Sequence, residues 1–299
     1  MPINKRNLKM AAFLLGEDHA RFMSKSSDLQ DRLEQKWVSE ANKLGYIIAS
    51  DLESQIMSGK SPRVPGKRIF REFVFRHYME VVELANDTAI AETQVIDHEK
   101  RLAKSPRIPR KLAEVRKAYD IWKRTGRMPK GLADQAAKIQ DLYLKSVHKV
   151  WKRYSEDFRA GDEVGRFDIV KKVKKAADVA NSRAKNIVRT ETTNHYNEVR
   201  AEIYDQNEGI WGYLFLAIRD HATTKWCTDK TKGGKRGRHG LVYKKGDPLT
   251  TKERPSCHWN CRSEMTPLTP YNPRHKRLIE NDFMQRRNHT CHPLPEGWR

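Results

Sequence analysis

A chain of 299 residues with 37% apolar side chains has material for one large or two ordinary packed domains, which excludes disorder throughout. Its 59 Lys and Arg against 38 Asp and Glu leave +21, so a polyanion, nucleic acid first, is the default partner. The polar start Met1-Pro-Ile-Asn-Lys-Arg and the short apolar run Ala11 to Leu15 fit neither a signal peptide nor a membrane span, and the expectation is a soluble protein made in the cytoplasm.

Along the chain, Leu29, Leu33, Trp37, Ala41, Leu44, Ile48, Leu52 and Ile56 recur every three or four residues, as one buried face of a helix requires. Ser58-Gly59, Pro62 and Pro65-Gly66 stop that helix. Ile69, Phe73 and the stretch Val81 to Ile96 predict a second long helix. Leu132, Ala136, Ile139, Tyr143, Val147, Val150 and Tyr154 predict another. Residues 1–160 therefore read as a helical bundle. Ser61-Pro-Arg-Val-Pro65 recurs as Ser105-Pro-Arg-Ile-Pro109, and two independent helix starts explain this better than a duplicated hairpin. Twelve Lys or Arg between Lys100 and Lys130 form a basic belt suited to DNA or to an acidic protein surface.

Arg159-Ala-Gly-Asp-Glu-Val-Gly165 is the candidate boundary between the halves. Beyond it, Ile169, Val173, Ala176, Ala180, Ala184 and Ile187 trace a helix that Gly209 ends. Trp211 to Ile218 then reads as a strand, with Leu241 to Tyr243 and Ser263 to Thr266 as weaker ones. The expected fold is α+β: a long-helix N-terminal bundle followed by a smaller C-terminal α+β domain, residues 161–270, with a short, mostly antiparallel sheet. Residues 271–299, basic and interrupted by prolines, read as an extended tail.

Continuing the helical face from Ala184 and Ile187 turns Glu191 inward, while Arg189, about 200° away round the helix, faces elsewhere. A buried Glu191 needs a partner, and Arg219, Arg262 or an amide near Asp220 could supply one. A structural carboxylate is favoured over a catalytic one. Asp220 with Thr223 and Thr224 suits a turn closed by side-chain bonds to nearby amides, although Asp220 could also serve as a metal ligand or acid-base group.

The four cysteines, Cys227, Cys257, Cys261 and Cys291, all lie in the last quarter, which is no chain-wide disulfide framework and points to a reducing compartment. Cys227, His258 and Cys261, with Cys257 competing as a fourth ligand, make a candidate structural zinc site, because zinc takes thiolates and imidazoles tetrahedrally. Ordinary buried thiols remain the other reading, and Cys291 with His289 or His292 is a separate grouping. Lys230, Lys232, Lys235, Arg236, Arg238, Lys244 and Lys245 lie among three glycines with no acidic residue from 230 to 246. Such a loop can follow phosphates without reading bases, or dock on an acidic protein. Gly233-Gly234-Lys235 lacks the spacing of a P-loop.

Arg189-Thr190-Glu191, Asp220, Thr223, Thr224, Cys227, His239-Gly240 and Pro255-Ser-Cys-His-Trp-Asn-Cys-Arg262, followed by Pro267, form an ordered set. In order and spacing it resembles the signature of the phage Mu F-like head-morphogenesis family, minor head proteins of tailed phages carried inside the capsid near the portal. The resemblance covers the last third to half of the chain. It implies a virion protein whose N-terminal helices dock to portal or scaffold, with the portal protein, nonspecific double-stranded DNA and the scaffold or major capsid protein as partners. No membrane association and no catalytic residues are expected, with structural zinc as the sole candidate cofactor. Where the family's last motif often ends Cys-Arg-Cys, this chain has Cys261-Arg262-Ser263, which weakens a four-ligand metal scheme. The alternative is a metal-dependent nucleic-acid-processing enzyme, a nuclease or transferase. An HNH-type set would be incomplete, since after Asp220-His221 no asparagine follows until Asn260. A host nucleic-acid-binding factor is the third reading, without a recognisable sequence-reading motif.

Overall fold

The computed structural model describes residues 17–100, 110–160, 163–217, 225–231, 240–247, 250, 254–255, 261 and 263–282. Five long helices come first: α1 (Glu17–Met57), α2 (Lys67–Lys100), α3 (Arg110–Thr125), α4 (Lys130–Ala160) and α5 (Glu163–Gln206). They are followed by β1 (Gly212–Leu216), the short α6 (Lys225–Thr231), β2 (Val242–Lys244), β3 (Glu264–Leu268) and α7 (Pro273–Asp282). The fold is mostly helical with one small antiparallel sheet. No described helix is long and apolar enough to cross a membrane.

Contacts divide the chain into two compact units. One, the helical unit, comprises Glu34–Met79 and Val115–Arg189; the other, the sheet unit, comprises Met1–Leu33, Glu80–Glu114 and Thr190–Arg299. This differs from the expected division near residue 160. At the segment taken as a boundary α4 ends at Ala160 and α5 begins at Glu163, and both helices up to Arg189 belong to the helical unit. The partition runs instead through helix interiors of α1, α2, α3 and α5, where no glycine or proline marks it.

The helical unit buries the expected stripes. Trp37, Ala41, Leu44, Ile48, Leu52 and Ile56 of α1 and Ala136, Ile139, Tyr143 and Val147 of α4 are all under 9% exposed. At about 25 cal/mol per Å² of apolar surface, such side chains each contribute about 1.5–3 kcal/mol, which is what holds helices whose polar faces are heavily charged. Phe75 packs on Tyr119 and Trp122 of α3, with ring centroids 5.4 and 5.5 Å away. Helix α3 starts directly after Pro109 and α2 shortly after Pro65.

In the sheet unit β1 is central, in the order β2-β1-β3, antiparallel to both neighbours. Tyr213 pairs with Tyr243 on one side and with Pro267 on the other. Proline is tolerated there because β3 is an edge strand. Tyr213, Leu214 and Phe215 are all buried, so both faces of β1 are covered. The first part of the expected extended tail is helical: Asn272 caps α7 by accepting the Arg274 amide at 3.0 Å, and α7 packs on β2 and β3. Its His275 is fully buried and accepts the Thr269 amide through Nδ1 at 3.2 Å. Residues 283–299 lie outside the described residues.

Candidate functional site

The most concentrated chemistry of the sheet unit is a buried charge network. Tyr196, Arg200 and Tyr204 follow one another at four-residue steps on α5, so they share one face of the helix. Arg200, 1% exposed, donates from Nη2 to Glu92 at 2.8 Å, from Nη1 to Glu264 at 2.9 Å and from Nε to the Tyr204 hydroxyl at 2.7 Å. The Tyr204 hydroxyl in turn donates to Glu92 Oε2. Tyr196 bonds the hydroxyls of Thr88, at 3.0 Å, and Ser26. One guanidinium thus ties α2, α5 and the start of β3 together, with α1 joined through Ser26.

Two carboxylates meet one guanidinium here, so the cluster carries formal charge −1 when both are ionised. Burial pushes the Glu264 carboxyl above its usual range, Arg200 opposes the shift and Glu92 reinforces it. Burial likewise raises Tyr204 despite Arg200, which keeps it a hydrogen-bond donor. For Arg200, burial alone would weaken the charge, but Tyr204 and the two carboxylates outweigh it and hold the guanidinium charged. Because Glu264 binds its proton more readily folded than unfolded, its contribution to stability is full in acid and falls as pH rises above 4.5 through the raised value. Glu264→Gln should therefore flatten the decline of melting temperature above that pH. Parallel wild-type and variant profiles would rule out this assignment.

A second set of polar links leads from α5 to the cysteines. Asn197 donates to the carbonyls of Thr193, at 2.9 Å, and Ser263, at 3.2 Å. The Ser263 hydroxyl donates to Cys227 Sγ at 3.2 Å. Cys227 and Cys261 are both buried. The residue two after Cys261 is thus a serine whose hydroxyl meets Cys227. Among the described residues no group of three or more His, Cys, Asp or Glu is arranged to hold a metal. His258 and Cys257 lie outside the described residues. Cys227 and Cys261 could each offer a thiolate, and the described residues supply no third ligand.

No family model, curated protein or solved structure matches the chain. What the arrangement can do must be read from its own residues. Arg189 pairs with Glu34 at 3.2 Å within the helical unit, whereas Glu191 accepts from Asn194 at 3.4 Å and has His195 3.6 Å away in the sheet unit. The two do not pair, as their angular separation predicts. Glu191, however, is not turned into the core: its side chain is 29% exposed and its partners lie on its own helix. The buried face beyond Val188 continues through Thr192, Tyr196, Val199 and Ile203. Helix α5 changes units at Arg189, and the apolar phase of one unit does not carry into the next.

Lys230, expected at phosphates, is 1% exposed; its ammonium donates to the Tyr243 hydroxyl at 3.2 Å and lies 5.9 Å from the Phe215 ring centroid. It cannot reach a phosphate without leaving the core. Lys245 donates to the Asn207 carbonyl at 2.8 Å, and burial lowers its pKa against the pull of Asp205 and Glu208. Lys244 is exposed. Lys232, Lys235, Arg236 and Arg238 lie outside the described residues, as do Asp220, Thr223, Thr224, His239, Arg262 and Arg219.

Gly240 lies beside β1, just before β2, so closely that an added Cβ would lie 1.8 Å from the Phe215 carbonyl oxygen. Pro255 is buried in the same unit. A cleft of about 100 Å³ lies between Tyr204, Asp205, Tyr213, Asp247 and Arg254, and the Tyr213 hydroxyl there donates to Asp205 at 2.5 Å.

Glu92 and Arg200 escaped the sequence reading, although a signal existed. Glu92 falls in phase with Val82, Ala85 and Ala89, and Arg200 in phase with Tyr196 and Ile203. Opposite charges on the apolar faces of two helices announce a buried pair.

Proposed function

We propose that the protein is a non-enzymatic minor head protein of a tailed phage, which associates with the portal and with packaged DNA during head assembly or genome delivery. The observation that supports this reading is the use made of the described motif residues and their neighbours. Gly240 permits a close backbone approach to β1, buried Cys227 is bonded by Ser263, and the nearby charges of Arg200, Glu92 and Glu264 are spent on one another. Residues so engaged brace a module. They offer no nucleophile or acid-base pair to a substrate. The motif order supplies the capsid context, and +21 suits a protein beside packaged DNA. The protein would be made in the host cytoplasm and reside in the capsid interior, with scaffold or major capsid protein as further partners and any zinc structural.

Co-expression with the portal protein of the same phage, followed by sizing, should give a stable complex, and mass spectrometry of purified particles should detect this chain. Its absence from particles, together with metal-dependent cleavage of DNA by the purified protein, would replace this proposal with an enzymatic one.

A further inference from the structure

We propose that the helical unit holds the main double-stranded nucleic-acid surface of this protein, on the seam between α4 and α5. The proposal shares the nucleic-acid half of the reading above and is independent of its capsid half. Glu34–Met79 and Val115–Arg189 together contain 28 Lys and Arg against 14 Asp and Glu, so this unit carries two thirds of the net charge. Sequence alone pointed to the 230–246 loop and the 100–130 belt. The seam becomes visible only when α4 and α5 are laid side by side.

Three contacts fix that alignment. Tyr143 bonds Asn181 at 3.3 Å, Lys172 Nζ sits 3.9 Å from the Tyr154 ring centroid, and Arg166 lies 5.8 Å from that of Phe158. The paired numbers rise on one helix as they fall on the other, so the helices are antiparallel and residues 148–153 lie beside 172–177. Neither segment contains an acidic residue. On this stretch Lys149, Lys152, Arg153, Lys172 and Lys175 are exposed, and no ion pair engages them among the described residues. The other cations are less available: within the stretch Lys174 pairs with Glu53 of α1 at 2.9 Å, and beside it Lys171 pairs with Asp168 at 3.6 Å and Lys145 with Asp141 at 3.9 Å.

Tyr154 organises the centre of the seam. Lys172 Nζ lies 3.9 Å and the Arg153 guanidinium 5.6 Å from its ring centroid, which gathers cations from both helices about one ring. Cations a helical turn apart, about 5–6 Å between neighbouring Cβ atoms, present a repeating charge to a phosphate backbone. None of the largely exposed apolar side chains falls within 148–153 or 172–177. A protein partner would want a buried aromatic or aliphatic anchor there, whereas phosphates need only charge.

The test measures binding of the full chain to a random-sequence 30-base-pair duplex by fluorescence anisotropy across a salt series. It compares wild type with Lys149→Gln/Arg153→Gln/Lys172→Gln/Lys175→Gln and with a loop variant, Lys232→Gln/Lys235→Gln/Arg236→Gln/Arg238→Gln. The seam variant should weaken binding roughly a hundredfold or more near 0.1 M salt and reduce the slope of log K on log salt by about 3 to 4. The loop variant should keep most of the affinity. If the quadruple seam variant fails to fold by circular dichroism, single Lys149→Gln and Lys172→Gln should each reduce the slope by about 0.9. Unchanged binding by the seam variants overturns the assignment, and loss confined to the loop variant moves the surface there while leaving DNA association intact. Tighter binding to polyglutamate than to duplex would show that the seam fits an acidic protein instead.

Discussion

Arg200→Met is expected to destabilise the sheet unit by about 3–5 kcal/mol at neutral pH, the usual cost of stripping the partner from a buried charge. Two carboxylates would then face each other across an apolar gap, Glu92 with its side chain 1% exposed and Glu264 with 12%. Three hydrogen bonds from the guanidinium would also disappear, including the one that orients the Tyr204 hydroxyl toward Glu92. Total stabilities of about 5–15 kcal/mol are typical, so much of the variant should be insoluble or unfolded at physiological temperature. Acid should rescue it in part, because protonation neutralises both carboxyl groups and Glu264 already favours its proton. The combined variant Arg200→Met/Glu92→Gln/Glu264→Gln should recover much of the loss, since a buried ionic cluster replaced as a whole costs far less than one broken in half. Urea denaturation at neutral and acid pH measures each step. A single Arg200→Met substitution that costs under about 1 kcal/mol would show that the network does not brace the unit.

Most long elements were legible because a stripe of apolar residues at helical spacing is a local property. The α1 stripe from Trp37 to Ile56 and the α4 stripe from Ala136 to Val147 are buried as their spacing demands. The strand at 212–216 was legible from its aromatic and aliphatic run. Legibility failed where a property is set by distant neighbours. Glu191 misleads because the buried face of α5 rotates where the helix leaves one unit for the other, and no residue type records that change. Lys230 misleads because a run of cations in sequence says nothing about Tyr243, which accepts its hydrogen bond, or Phe215, whose ring lies beside it. The Arg200 cluster draws on α2, α5 and β3, separated by 108 residues on one side and 64 on the other, so only the fold assembles it. The α4–α5 seam is hidden for the same reason, since its charges are ordinary surface lysines until two antiparallel helices stack acid-free segments.

Gly240→Ala should be the most damaging added methyl among the described glycines, because the glycine lies against the backbone of the central strand and not against a side chain. The added carbon would stand 1.8 Å from the Phe215 carbonyl oxygen and 3.0 Å from its carbon, with the Lys230 carbonyl oxygen at 3.6 Å. All three are backbone atoms, so no rotamer change relieves the clash. Relief requires the chain to lift away from β1, which breaks the Phe215 amide bond to the Leu241 carbonyl, 2.9 Å, and the Leu241 amide bond to the Lys230 carbonyl, 2.8 Å. Lys230 would lose its enclosure in the same movement, leaving a buried ammonium without its place. The expected cost exceeds about 3 kcal/mol, the upper range for overpacking a rigid site. Two further glycines separate crowding from general loss of glycine. Gly246→Ala meets nothing within 4 Å but has φ +78, so it should cost about 1 kcal/mol from backbone strain alone. Gly131→Ala, in helix α4 with nothing nearby, should be neutral or gain up to about 1 kcal/mol. Hydrogen exchange should find the β1 amides deprotected in Gly240→Ala alone, while those of α4 keep their protection. Equal melting of the Gly240 and Gly246 variants would mean that the approach to Phe215 is looser than 1.8 Å implies, and the tight backbone contact would then fail as the reason for a glycine after His239.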